Sequence, residues 1–173
     1  MPTVWPELNP ALVRIVLVEM GPVLLAPFDD KLRRYTLREL VKRGVDVRLK
    51  TAISAVHPDR VDFDNGQTMS ADLVIWAAGI AGYPMLRDWG LPIGRGGRIE
   101  VHPDLRTLND DRVFAIGDAS IIVDNPLPQL AQPALQTGKH AAEQIARIHL
   151  GQPTMPFEYY DKGTMATIGR ADA

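Results

Sequence analysis

Apolar residues along this chain fall into two textures, unbroken runs and spaced stripes. Three runs are unbroken: Ile15-Val16-Leu17-Val18, Leu73-Val74-Ile75-Trp76-Ala77-Ala78 and Val113-Phe114-Ala115-Ile116. Continuous apolar stretches of this length predict strands buried on both faces of a parallel sheet, where a half-buried strand would alternate. Each run is followed by a glycine: Gly21 before Pro22, Gly79, and Gly117 before Asp118. After the first run, Asp29 is placed to cap a helix reaching about Arg43, with Leu32, Leu37, Leu40 and Val41 inward and Gly44 closing it. Val45 to Leu49 follows as the next strand, making a strand–helix–strand unit whose crossover is expected to be right-handed. Short strand candidates then come at Ile53–His57, Val61–Phe63 and Gln67–Met69, the last two joined by the hairpin signal Asn65-Gly66.

In the second half, Gly94-Arg95-Gly96-Gly97 reads as a turn into a strand over Arg98–Val101. It is not a dinucleotide fingerprint, because the third glycine is missing from the required spacing and no helix follows. From about Leu130 to Leu150 the period is helical. Ala134, Gly138, Ala141, Ala142, Ile145 and Ile148 form one stripe, and Pro133, tolerated only in a first turn, sets the start near Gln132. Phe157–Tyr160 and Thr164–Ile168 have the texture of a closing strand pair. These changes suggest an α/β chain with lobes at 1–83 and 84–150 and a further region at 151–173.

The chain has 173 residues, 46% of them hydrophobic and 23% charged, which suits a globular protein with a real core. Its net charge of −2 gives no electrostatic basis for binding nucleic acid or an anionic membrane. It contains no cysteine, which excludes disulfides, thiol redox pairs and thiolate metal sites within it. No apolar run approaches the ~20 residues that span a bilayer. Met1–Pro10 lacks the basic start and apolar middle of a signal peptide.

Ligands of open α/β sheets bind beyond the carboxyl ends of strands, which turns attention to Gly117-Asp118. A glycine there lets a ligand come close to the backbone, and an aspartate can accept hydrogen bonds from sugar hydroxyls. Its plain alternative is an Asp that caps the following turn. Gln132 and Gln136 lie four apart at a helix start and share a face; the alternative is two glutamines on a surface helix. Glu19 reads either as a ligand-binding acid at a strand end or as a solvated glutamate, and Gly79 as a close-approach or a turn glycine. His57, His102, His140 and His149 have no second ligand at metal spacing, so no metal site is assigned, although His140 lies beside the glutamine pair. Ser120 has no Gly-x-Ser-x-Gly context. Arg33, Arg34, Lys42 and Arg43 form a solvated basic face.

Several of these segments occur together and in order. They are Val16-Leu17-Val18-Glu19-x-Gly21-Pro22, Ile75-Trp76-Ala77-Ala78-Gly79, Val113-Phe114-Ala115-Ile116-Gly117-Asp118-Ala119, Leu130-Ala131-Gln132-Pro133-Ala134-Leu135-Gln136 and Lys162-Gly163-Thr164-Met165-Ala166-Thr167-Ile168-Gly169-Arg170. In this the chain resembles the type II NADH:quinone dehydrogenases, flavoproteins of the pyridine nucleotide-disulfide oxidoreductase superfamily, over nearly its whole length. The Ala-Gln-x-Ala-x-Gln helix start and the Lys-Gly-Thr-Met-Ala-Thr-Ile-Gly segment carry the resemblance most specifically.

The resemblance implies parts of two Rossmann-like lobes, one for FAD and one for NADH, and a reaction passing hydride from NADH to FAD and two electrons on to quinone. It implies Glu19 and Gly79 on the NADH side, Gly117, Asp118, Ala131 and Gln132 against FAD, and Gln132 and Gln136 towards quinone. No side chain is then required as a nucleophile. Relatives also carry two Gly-x-Gly-x-x-Gly turns, which hold pyrophosphate and which this sequence lacks, and C-terminal amphipathic helices that dock on the inner face of the membrane. By this resemblance the chain corresponds to the C-terminal half of a cytoplasmic, peripherally attached enzyme without its anchor. The expectation is a chain inactive alone, prone to self-association through open strand edges or completed by a separate N-terminal half. Two alternatives stay open: a non-catalytic module without cofactor, and another flavoprotein reductase of the same superfamily.

Overall fold

A computed structural model describes residues 9–169. They divide into two compact units: the residues up to Trp76 together with those from Met165 onward, and Ala77–Thr164.

In the first unit, β1 (Ile15–Val18) runs parallel to β2 (Val45–Arg48), with Ile15 opposite Val45 and Val18 opposite Arg48. Helix α1 (Asp30–Lys42) connects them. Its N-cap is Asp29, whose carboxylate accepts the Leu32 N–H at 2.9 Å, and Gly44 follows its end at φ +84°. The inward stripe differs from the sequence expectation: Leu32 is 44% and Val41 56% exposed, and the buried helical residue is Thr36. The Thr36 hydroxyl donates to the Leu32 carbonyl at 2.9 Å, so the helix itself satisfies the group it buries. A second sheet is the antiparallel meander β3 (Ile53–Val56), β4 (Arg60–Phe63) and β5 (Thr68–Ser70). Val61 and Phe63 of β4 are buried, and the Arg48 guanidinium lies over the Phe63 ring at 5.6 Å.

The run Leu73–Ala78, expected as a buried strand, forms none. Leu73 is 77%, Ile75 80% and Trp76 62% exposed. An apolar run becomes a central strand only where neighbours pair both its edges and cover both its faces, and none among the described residues does so.

The second unit holds a four-stranded sheet in the order β8-β7-β6-β9: β6 (Ile99–Val101), β7 (Arg106–Thr107), β8 (Asp110–Phe114) and β9 (Ser120–Ile122). The third apolar run lies at the end of β8, and its setting also departs from expectation. β8 pairs antiparallel with β7 and forms the sheet edge; the parallel pair is β6 with β9. The short Leu108-Asn109 connection and the bond from the Thr107 hydroxyl to the Asp110 carbonyl, 2.9 Å, favour this local hairpin over a parallel neighbour. Ala115 is buried, while Ile116 is 42% exposed.

Helix α2 (Ala131–His149) packs on this sheet. Its buried residues are Pro133, Thr137, Ala141 and Gln144; Ala141 belongs to the expected stripe, the other three lie one position before its members, and Ile145 and Ile148 face outward. Thr137 and Gln144 are polar, and a hydrophobic period does not register them. The core gathers Leu86, Ile99, Val101, Leu105, Ala115, Ile122 and Ala141, with Val101 and Leu105 fully enclosed. Where two further strands were expected, residues 152–168 contain neither helix nor strand. Their backbone finds other partners, described below.

One close approach in this unit requires a glycine. The Gly82 N–H donates to the Gly96 carbonyl at 2.8 Å, and a Cβ on Gly82 would stand 1.9 Å from the Gly97 carbonyl oxygen.

Candidate functional site

Each expected site residue sits in one unit or the other. In the first unit, Glu19 directly follows β1. Its Oε1 accepts the Gly21 N–H at 2.6 Å, which folds the side chain over the turn. Its backbone is tied to the end of β2, with N–H to Arg48 carbonyl at 2.9 Å and carbonyl from Thr51 N–H at 3.1 Å. The second carboxylate oxygen of Glu19 has no hydrogen-bond partner among the described residues. Gly79 belongs to the other unit, in an exposed segment without regular structure, at φ +100° and with nothing within 4 Å of where a Cβ would stand.

The remaining residues converge within the second unit. Gly117–Ala119 is a single 3₁₀ turn between β8 and β9, and it lies against the first turns of α2. The Gly117 N–H donates to the Thr137 hydroxyl at 3.1 Å, and that hydroxyl donates in turn to the Pro133 carbonyl at 2.8 Å. The Asp118 carbonyl accepts from Gln129 Nε2 at 3.0 Å. Gly117 has φ +62°, and a Cβ there would meet the Ala134 Cβ at 3.3 Å. Glycine therefore serves twice at 117, for the left-handed backbone and for the close fit to the helix. A cavity of about 20 Å³, lined by Gly117, Ser120, Leu127, Pro133 and Thr137 among others, lies beside this contact; it has room for about one water.

Two features of this junction are chemically open. The Asp118 side chain is exposed, and its carboxylate has no hydrogen bond or ion pair among the described residues. Helix α2 begins at Ala131 with no side-chain cap from Leu130 and no acid in its first turn. The N–H groups of a helix start have no partner within the helix, and they carry partial positive charge. An acceptor carboxylate and a set of uncapped amide donors thus flank one tightly packed turn. Such a pairing suits a ligand carrying both hydroxyls and phosphates.

Gln132 and Gln136 differ in how they are engaged. The Gln132 amide meets no partner among the described residues. Gln136 is fully committed: its Oε1 accepts the Tyr160 N–H at 3.1 Å and its Nε2 donates to the Tyr160 carbonyl at 3.0 Å. His140 Nε2 lies 2.9 Å from the Met155 carbonyl, and its ring meets Phe157 edge-on at 5.3 Å. Among the described residues no group of His, Asp and Glu is arranged to hold a metal ion, and no helix is long and apolar enough to cross a membrane.

Comparison with known proteins gives this geometry a context. The family model described as pyridine nucleotide-disulphide oxidoreductase matches residues 7–138. A type II NADH:quinone oxidoreductase of Staphylococcus saprophyticus is 36% identical over 168 residues, covering 92% of this chain and 41% of the relative. The protein of the same name from Haemophilus influenzae is 32% identical over 171 residues, covering 96% of this chain and 38% of the relative. The chain thus spans about two fifths of the length of these curated relatives. Among solved structures, the sulfide:quinone oxidoreductase from Aquifex aeolicus matches with a TM-score of 0.68 at 17% identity, over 82% of this chain and 37% of that one. Bacillus anthracis CoADR-RHD matches with a TM-score of 0.66 at 24% identity, over 84% and 27%. These structural likenesses speak to the fold alone.

Proposed function

The chain belongs to the pyridine nucleotide-disulphide oxidoreductase family, and from that premise we propose that it serves a FAD-dependent NADH:quinone oxidoreductase of the type II kind. The single observation that carries this reading is the junction of the Gly117-Asp118 turn with the start of α2, joined through Thr137 and Gln129. The residues there fit a flavin dinucleotide. Glycine at 117 keeps the surface low, the spare Asp118 carboxylate can accept from ribityl hydroxyls, and the uncapped amides at Ala131 and Gln132 can donate to an anionic group.

When bound, the flavin supplies the redox chemistry, accepting hydride equivalents from NADH and delivering electrons to a quinone. This chain's residues supply position and electrostatics. Asp118 and Gly117 orient the cofactor's arm. The uncapped start of α2 would favour negative charge on a group held beside it. Gln132 and Gln136 stand on the quinone side. Glu19, with one oxygen bound to the Gly21 N–H, would offer the other to the adenosine ribose hydroxyls of NADH. On this reading the protein works on the cytoplasmic side, at the inner membrane face where quinone is reached.

The test is thermal unfolding of the purified chain with and without FAD. Binding to the folded state raises the melting temperature by mass action. The affinity is expected to be weak, because the sequence holds no Gly-x-Gly-x-x-Gly turn to grip pyrophosphate. Asp118→Ala is expected to weaken FAD binding by roughly tenfold to a hundredfold, the value of hydrogen bonds to a charged acceptor. No rise at any FAD concentration supports the alternative of a non-catalytic module and overturns the proposal.

A further inference from the structure

We propose that Gln136 is a positioning residue, whose side-chain amide takes the place of a neighbouring strand for Tyr160 and fixes the path of the chain beside the first turns of α2. A primary amide offers an acceptor and donors in one plane. Here both are used on both backbone groups of a single residue, the reciprocal pattern of a hydrogen-bonded antiparallel pair.

Gln136 is the last of a series. After α2 the chain turns back and runs without regular structure, so its backbone groups need partners from elsewhere. The Pro103 carbonyl accepts the Phe157 N–H at 2.8 Å, and one stripe of α2 provides several others. Arg147 Nε donates to the Pro153 carbonyl at 2.7 Å, the Met155 N–H donates to Gln144 Oε1 at 2.7 Å, and His140 Nε2 lies 2.9 Å from the Met155 carbonyl. Positions 136, 140, 144 and 147 share a helix face, and they meet 160, 155 and 153 in reverse order, so the strap runs antiparallel to the helix. Gln144, though polar, is 2% exposed, and its Oε1 is satisfied by the Met155 N–H. Beyond Gln136 the strap leaves the helix through a turn in which the Gly163 N–H donates to Asp161 Oδ1 at 2.8 Å.

Gln136 therefore decides where Tyr160, Asp161 and Lys162 depart from α2. Only the final step rests on the function proposed above: those residues then border the quinone side, and Gln136 sets their place there through the Tyr160 backbone. Gln132, one turn earlier, keeps its amide for direct contact.

The experiment is amide hydrogen exchange in the full chain, comparing wild type, Gln136→Met and Gln136→Glu. Protection at Tyr160 is expected to fall roughly tenfold in Gln136→Met, the value of a net hydrogen bond, while Ala141 in the middle of α2 keeps its protection. Gln136→Glu provides the conservative rescue. Protonated, its carboxyl both accepts and donates and restores Tyr160 protection; ionised, it sets a negative oxygen against the Tyr160 carbonyl, and protection drops as pH rises through its titration. The neighbouring titratable groups, Lys139, His140 and Glu143 on α2 and Glu158 on the strap, are common to all three proteins, so the wild-type pH series accounts for them. If Gln136→Met disturbs all of α2, the Gln136→Glu series decides. Equal Tyr160 protection in wild type and Gln136→Met, or a Gln136→Glu series that runs parallel to wild type, overturns the proposal. A chain that shows the clamp yet takes up no FAD overturns the assigned function and leaves the clamp standing.

Discussion

Gly82→Ala is expected to destabilise the 77–164 unit by more than about 3 kcal/mol, enough to remove its cooperative melting transition at physiological temperature. The new methyl carbon would stand 1.9 Å from the Gly97 carbonyl oxygen and 2.5 Å from its carbonyl carbon. These are backbone atoms, so no rotamer change relieves the overlap. Gly97 is itself held at φ +71°, and the Gly82 N–H is bonded to the adjoining Gly96 carbonyl, so the two segments cannot separate without losing that bond. Gly151→Ala is the matched control. That residue has φ +69° but nothing within 4 Å of its would-be Cβ, so only the left-handed backbone penalty of roughly 1 kcal/mol applies. Urea or thermal melts of the two variants separate steric demand from conformational demand. Similar midpoints would refute the close crossing.

The second large effect is expected at Asp104. Its Oδ2 accepts from Arg106 Nε at 2.7 Å and from the Thr154 hydroxyl at 2.7 Å, and its Oδ1 accepts the Arg106 N–H at 3.2 Å. These bonds hold the β6–β7 turn, where Leu105 is fully buried at φ +74°, and they moor the strap as it leaves α2. Burial pushes the Asp104 carboxyl upward. The bonds from Thr154 and Arg106 outweigh it, and the net result lies below the usual carboxylate value. Because the folded value is the lower one, the stabilisation is complete above the unfolded carboxyl's pKa of about 3.9 and is lost as pH falls through the folded value. Asp104→Ala is expected to cost about 2 kcal/mol near neutrality, through the unpaired Arg106 and Thr154 groups it leaves behind. In acid, wild type and variant should converge, so melting temperatures taken across that range test both the size and the sign. A difference that stayed constant into strong acid would contradict this role for the carboxylate.

What the sequence conveyed depended on the range of the interaction. The span of helix α1 was legible because its end signals are local: the Asp29 cap and the left-handed residue at Gly44. The Asn65-Gly66 hairpin and the span of α2 were legible on the same terms. The run Leu73–Ala78 misled because apolarity signals a wish for burial, whereas strand formation depends on neighbours remote in sequence. The edge position of β8 was hidden for a similar reason, since a four-residue run does not say which strand will pair beside it. Thr137 and Gln144 escaped notice because they are polar, and their burial is intelligible only once their backbone partners at Pro133 and Met155 are in place. The Gly82–Gly97 crossing left no periodic trace at all. At the site, Gly117, Asp118 and the glutamines were singled out from residue type and position, but the link through Thr137 and the commitment of Gln136 to Tyr160 belong to tertiary structure.

The most direct measurement is a titration of FAD into the isotopically labelled full chain, following backbone amide resonances residue by residue. The expected result is that Gly117, Asp118 and Ala119 move together with Ala131 and Gln132, and that Asp118→Ala suppresses the whole set. Shifts centred elsewhere, or none up to millimolar FAD, would contradict a flavin site at the meeting of this turn and this helix.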